Sequence, residues 1–153
     1  MKPRIYIDTS IIGGYFDEIF ERETMLLFER FEREEVVLVM SELLVSEAVG
    51  APESVRRLLE LHMYKAEYVK NSDEAKALAQ KYIDEKVVGA TSFDDCNHIA
   101  IATICHASVL ASWNFKHIVN LQRIQGYNAV NLKNGYPTLE IRSPKDLISH
   151  ETN

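Results

Sequence analysis

The sequence predicts an α/β domain with a mostly parallel sheet covered by helices on both faces. Apolar runs rich in β-branched residues recur along the chain, and segments of helical apolar spacing lie between them. One run, residues 36–40 (Val-Val-Leu-Val-Met), is continuously apolar, as a strand covered on both faces must be. The 153 residues are 46% hydrophobic and 26% charged, enough for one domain with a sizeable core. Residues 1–153 are expected to form that single domain.

The first strand is residues 5–8, short and β-branched. Thr9 or Ser10 can cap a helical turn through Ile11 and Ile12, after which Gly13 and Gly14 loosen the chain. Residues 20–34 carry helical spacing at Phe20, Met25, Leu26, Phe28 and Phe31. Strand two is residues 36–40, and Ser41 caps a helix through Leu43, Leu44, Glu47 and Ala48 that Gly50 and Pro52 end. A helix over 53–62 buries Val55, Leu58, Leu59 and Leu61, and residues 65–70 form strand three. Ser72 caps a helix through Ala75, Leu78, Ala79, Tyr82 and Ile83. Residues 89–92 form a loop, and Asp94 or Asp95 opens an apolar helix through Ile99, Ala100, Ala102, Thr103 and Ile104. Strand four is residues 108–112, strand five residues 139–142, and Pro144 starts a short terminal helix.

The net charge of −6 speaks against a general nucleic-acid binder. The charge is uneven: residues 1–95 carry 12 Lys and Arg against 20 Asp and Glu, and residues 96–153 carry 5 against 3. No apolar stretch approaches the roughly 20 residues that span a bilayer. Met1-Lys2-Pro3-Arg4 leads straight into a strand and does not read as a signal peptide. Cys96 and Cys105 are too few and too scattered for a disulfide framework or a zinc knuckle, so a reduced, cytoplasmic setting is expected.

Three acids stand where strand and helix should meet. Asp8 ends strand one, Glu47 lies about two turns into the helix after strand two, and Asp95 opens the helix that feeds strand four. Taken singly, Asp8 and Asp95 could be helix caps and Glu47 a solvated face. If strands one, two and four are neighbours, all three point into one cleft at the carboxyl edge of the sheet. Like charges near 4 Å repel by about 4 kcal/mol per pair at an effective dielectric of about 20. An ionised cluster therefore calls for a cation, and oxygen-only ligands favour Mg²⁺ or Mn²⁺ over zinc. Such ions serve phosphodiester hydrolysis.

Ile5-Tyr6-Ile7-Asp8-Thr9-Ser10, Ser41 with Glu47, Asp95-x-x-His98-Ile99-Ala100 and Ser112-Trp113-Asn114-Phe115-Lys116-His117 together resemble the PIN domain, more narrowly PIN proteins of the VapC toxin type. The resemblance covers nearly the whole chain, with its elements in the family's order. It implies a three-layer α/β/α sandwich with strand order 3-2-1-4-5 and a metal-dependent ribonuclease. By that resemblance Asp8, Glu47 and Asp95 match the family's main acids, with neighbouring Asp94 the alternative to Asp95 that the spacing to His98 and Ala100 disfavours, and Asn114 stands where many relatives have a fourth acid. An amide can ligate or orient water but adds no charge. The resemblance further implies an RNA substrate, a small antitoxin that blocks the cleft, and a homodimer.

Thr9 and Ser10 either orient Asp8, touch metal-bound water or cap the helix, and His98 either contacts substrate or metal or packs at the helix edge; Thr9, Ser10, His98 and Lys116 are the candidate substrate contacts. Lys116, His117 and Arg123 could bind phosphate or form a solvated stripe. Trp113 and Phe115 either stack on a base or fill the core. Two other functions compete with cleavage. One is a PIN-like module that binds RNA or a protein without cutting. The other is a phosphotransfer domain with Asp8 as nucleophile, for which Ser10 stands where a haloacid-dehalogenase pattern would place a second Asp. Dinucleotide binding is unsupported, because residues 8–13 lack G-x-G-x-x-G.

Overall fold

The computed structural model describes residues 2–89 and 92–149. Five strands, β1 (Arg4–Ile7), β2 (Val37–Ser41), β3 (Glu67–Val69), β4 (Val109–Ala111) and β5 (Ile141–Arg142), form one sheet in the order β3-β2-β1-β4-β5. Every pairing is parallel, with Tyr6 opposite Val39 on one side and Leu110 on the other. The strand order reverses about β1, so the crevice beyond β1 and β4 is the topological switch point of the sheet.

The two-residue period of β1 divides the core. Ile5 and Ile7 join Leu38, Met40, Val109 and Ala111 on one face, whereas Tyr6 joins Val39, Leu110 and Ile141 on the other. Helices α1 (Thr9–Gly14), α2 (Glu21–Glu32), α3 (Glu42–Ala48) and α4 (Glu53–Met63) cover the first face. Helices α5 (Asp73–Asp84), α6 (Phe93–Ile104) and α7 (Leu121–Lys133) cover the second, and α8 (Pro144–Ser149) follows β5. The result is an α/β/α sandwich.

Ser41 and Ser72 cap α3 and α5 as expected, accepting from the amides of Leu44 and Ala75. Several expectations need correction. Neither Thr9 nor Ser10 caps α1; both lie inside it, after Asp8. Gly13 and Gly14 do not loosen the chain but complete α1, and glycine is needed at 14 because a Cβ there would lie 2.6 Å from the Trp113 indole nitrogen. Leu61 is 61% exposed, and His62 takes the buried position on α4 instead. Helix α7 was not anticipated. The expected loop at 89–92 includes Ala90 and Thr91, which lie outside the described residues. No helix among the described residues is long and apolar enough to cross a membrane.

Candidate functional site

Asp8 leaves β1 in extended conformation, and its side chain makes no cap bond to α1. The carboxylate is instead held by two hydroxyls: Ser10 donates to Oδ1 and Ser112 to Oδ2, each at 2.6 Å. Those hydroxyls accept in turn from the amides of Trp113 (2.9 Å) and Asn114 (3.0 Å). The loop after β4 thus grips the acid at the end of β1. Asp8 is only 4% exposed. Burial raises its carboxyl above the usual aspartate range, opposed by the nearby His98 and the two serines.

Glu47 sits half-buried in the second turn of α3, where Oε1 accepts from Thr9 Oγ1 at 2.6 Å and lies 2.6 Å from His98 Nε2. Burial would raise its carboxyl, but these partners bring it below the usual range. His98 is buried, and its Nδ1 is 2.6 Å from the Tyr6 hydroxyl. That hydroxyl donates to Ser41 Oγ at 2.8 Å. Burial pushes the Tyr6 phenol well above its ordinary value.

Asp95 lies in the first turn of α6, where a negative charge suits the helix dipole. Burial raises its carboxyl and the Asp8 charge raises it further; His117, His98 and a hydrogen bond from the Asn114 side chain oppose them. Asn114 Oδ1 accepts from the His117 amide at 3.0 Å, closing the turn that presents the amide. His117 Nδ1 is buried without a hydrogen-bond partner.

The expected acids thus meet unequally. The Asp8 charge adds to the burial that raises the Asp95 carboxyl, whereas Glu47 is tied to Thr9 and His98. Ser10 serves Asp8 and Thr9 serves Glu47. Lys116 is exposed, and Arg123 turns away to the Val87 carbonyl. Trp113 is core, stacked on Phe20 at 4.3 Å between ring centroids, while Phe115 is 48% exposed. Sequence reasoning overlooked Tyr6 and Ser112. The available signals were Tyr6's place on the opposite strand face from Ile5 and Ile7, and Ser112's position just after β4, equivalent to that of Asp8 after β1.

No protein-family model matches the chain, and no curated protein matches it. Solved structures do. VapBC2 from Rickettsia felis, bound to a DNA fragment from its promoter, aligns over 92% of this chain and 98% of its own at 14% identity and TM-score 0.55. FitAcB from Neisseria gonorrhoeae aligns over 92% and 97% at 12% identity and TM-score 0.56. The sarcin-ricin loop cleaving toxin VapC20 from Mycobacterium tuberculosis aligns over 73% and 91% at 10% identity and TM-score 0.54.

The chain has the PIN-like fold. In this PIN-like frame the acids sit at the carboxyl edge of the sheet, where the donor set can be tested against a divalent ion. Among the described residues, no three His, Cys, Asp or Glu side chains form a group able to hold one. Mg²⁺ does not require three, since it commonly takes one or two carboxylates and keeps several waters. Asp8 and Asp95 are the candidate carboxylates, since the Asp8 charge acts on Asp95. Both carboxyls are raised by burial, and Asp95 is raised further by the Asp8 charge, an imbalance that a hard cation relieves. The residues fit the ion that the PIN-like resemblance implies.

Proposed function

We propose that this protein is a Mg²⁺- or Mn²⁺-dependent endoribonuclease, acting in a reduced cytoplasm as the toxin of a toxin–antitoxin pair. The observation that carries this reading is the buried Asp8 at the switch point, gripped by the Ser10 and Ser112 hydroxyls. Asp8 and Asp95 would hold the ion, with Glu47 contributing directly or through water. The ion, when bound, supplies positive charge to a phosphoryl oxygen and to an attacking water. Asn114 orients that water through its amide. Ser10 and Ser112 hold Asp8 still, so little rearrangement accompanies the reaction. In-line attack by water would leave 5′-phosphate and 3′-hydroxyl ends. Thr9, Ser10, His98 and Lys116 were the candidate substrate contacts. Of these, only exposed Lys116 keeps that role in the proposal, because the other three are engaged with the acids.

The VapBC2 and FitAcB structures support a small antitoxin as partner, and a homodimer belongs to the same reading. The test is cleavage of structured RNA with Mn²⁺, with and without EDTA, by the parent and by Asp8→Asn and Asp95→Asn. Undiminished cleavage by folded variants would sink the assignment.

A second reading, a PIN-like module that binds RNA or protein without cutting, is favoured by the neutral Asn114 and by the lack of a three-residue metal group among the described residues. Calorimetric titration with Mn²⁺ separates the two, because a binding-only module need take up no ion at Asp8.

A further inference from the structure

His98 binds one of the three acids directly, its Nε2 lying 2.6 Å from Glu47 Oε1. It is one helical turn after Asp95, so the two share a face of α6. At 3% exposure it is too buried to meet an RNA strand. Its other nitrogen is also engaged, by the Tyr6 hydroxyl at 2.6 Å. Tyr6 donates to Ser41 Oγ, which accepts from the Leu44 amide at 3.1 Å and so caps α3, the helix that carries Glu47. The bonds therefore close a circuit from β1 to α6, from α6 to α3, and from the cap of α3 back to β1.

We infer that His98 is a positioning residue that commits Glu47 Oε1 to the protein and leaves Oε2 as the oxygen that serves the ion. This rests on the nuclease reading above. Thr9 reinforces it by donating to the same oxygen. Glu47 is consequently a one-oxygen contributor, and Asp8 and Asp95 carry the larger share of binding. Groups that orient metal-ligating carboxylates in this way typically change metal affinity about 10–100-fold when removed.

Two substitutions separate orientation from packing. In His98→Gln the side-chain amide nitrogen can take the place of Nε2 and still donate to Glu47. In His98→Asn the shorter amide reaches the Tyr6 side only. Mn²⁺ affinity by calorimetry and melting temperature without metal are read for both variants and the parent. The expected result is similar melting of the two variants, with affinity lowered about 10–100-fold in the Asn variant and largely restored in the Gln variant. Parental affinity in both, or an equal loss in both that tracks lost stability, overturns the inference. Should the Asn variant fail to fold, Tyr6→Phe deletes the hydroxyl behind the ring and is expected to weaken Mn²⁺ binding; unchanged affinity there also overturns it. A parent that binds no Mn²⁺ and cuts no RNA brings down the nuclease reading itself, an outcome distinct from a binding parent with indifferent variants.

Discussion

Ser112 Oγ donates to Asp8 Oδ2 at 2.6 Å, joining the residues that follow two adjacent parallel strands. The same oxygen accepts from the Asn114 amide, so one hydroxyl fixes both the acid and the loop. Ser112→Ala would leave that amide without its partner, at a cost of about 1–3 kcal/mol. A fall in denaturation midpoint together with weaker Mn²⁺ binding is expected. A variant matching the parent in both would show that the serine is dispensable.

Asp8→Asn is expected to abolish RNA cleavage while raising metal-free thermal stability. Burial lifts the Asp8 carboxyl, so the folded state holds its proton more tightly than the unfolded state. The stability is fully present below the ordinary aspartate value and is lost as pH rises through the raised folded-state value. Removing the charge should therefore raise the melting temperature measured without metal at neutral pH. A lowered melting temperature at neutral pH would contradict this account.

Asn114→Asp replaces the amide that stabilises ionised Asp95 with a third negative charge beside the Asp8–Asp95 pair. The new carboxylate can still accept from the His117 amide, so the turn should survive. Lower metal-free stability and tighter Mn²⁺ binding are expected, because like charges raise one another until a cation arrives. Calorimetry showing equal or weaker affinity would refute it.

Gly14→Ala places a methyl group 2.6 Å from Trp113 Nε1 and 3.0 Å from Thr24 Oγ1, atoms that are hydrogen-bonded to each other at 2.9 Å. Overpacking of this kind costs about 1–3 kcal/mol. Trp113 is the sole tryptophan, so its fluorescence reports the displacement directly. An unshifted emission spectrum with parental stability would mean that the contact yields freely.

His62 is buried on α4 beside Phe28, with ring centroids 4.7 Å apart. Burial depresses its imidazole, Glu32 at 3.8 Å partly offsets this, and Lys65 adds to the depression. The unfolded chain therefore takes up the proton first as pH falls, and stability is lost below the ordinary histidine value. His62→Phe should flatten the decline in melting temperature between about pH 7 and about pH 5. An equally steep decline in the variant would assign it to other groups.

Much of the architecture was legible locally. Residues 36–40 announced a buried strand, and Ser41 and Ser72 announced helix starts through hydroxyls that do cap. Helix α7 was not legible, because Leu121, Ala129 and Leu132 are exposed while Asn131 is buried, and Gly126 interrupts the pattern. That glycine is explained only in three dimensions: a Cβ there would lie 2.8 Å from Val87 Cγ1. The better signals were Asn120, whose side chain accepts from the Arg123 amide, and the inward positions Tyr127 and Val130. At the site, Asp8, Glu47 and Asp95 stood out because carboxylates at strand and helix junctions break an apolar pattern. Tyr6 did not, since one aromatic in a buried strand looks like core.

By itself, the sequence determined most of the alternation of strands and helices and the starts of α3 and α5, because these follow from side-chain periodicity and from bonds between near neighbours. Tertiary structure alone decided how the acids are partnered. Asp8 is gripped by Ser112, 104 residues away, and Glu47 by His98, 51 residues away. Such bonds depend on which strands lie side by side and on which face of each strand a side chain emerges. No local pattern carries that information, and it gave Asp8 to two serine hydroxyls and Glu47 to Thr9 and His98.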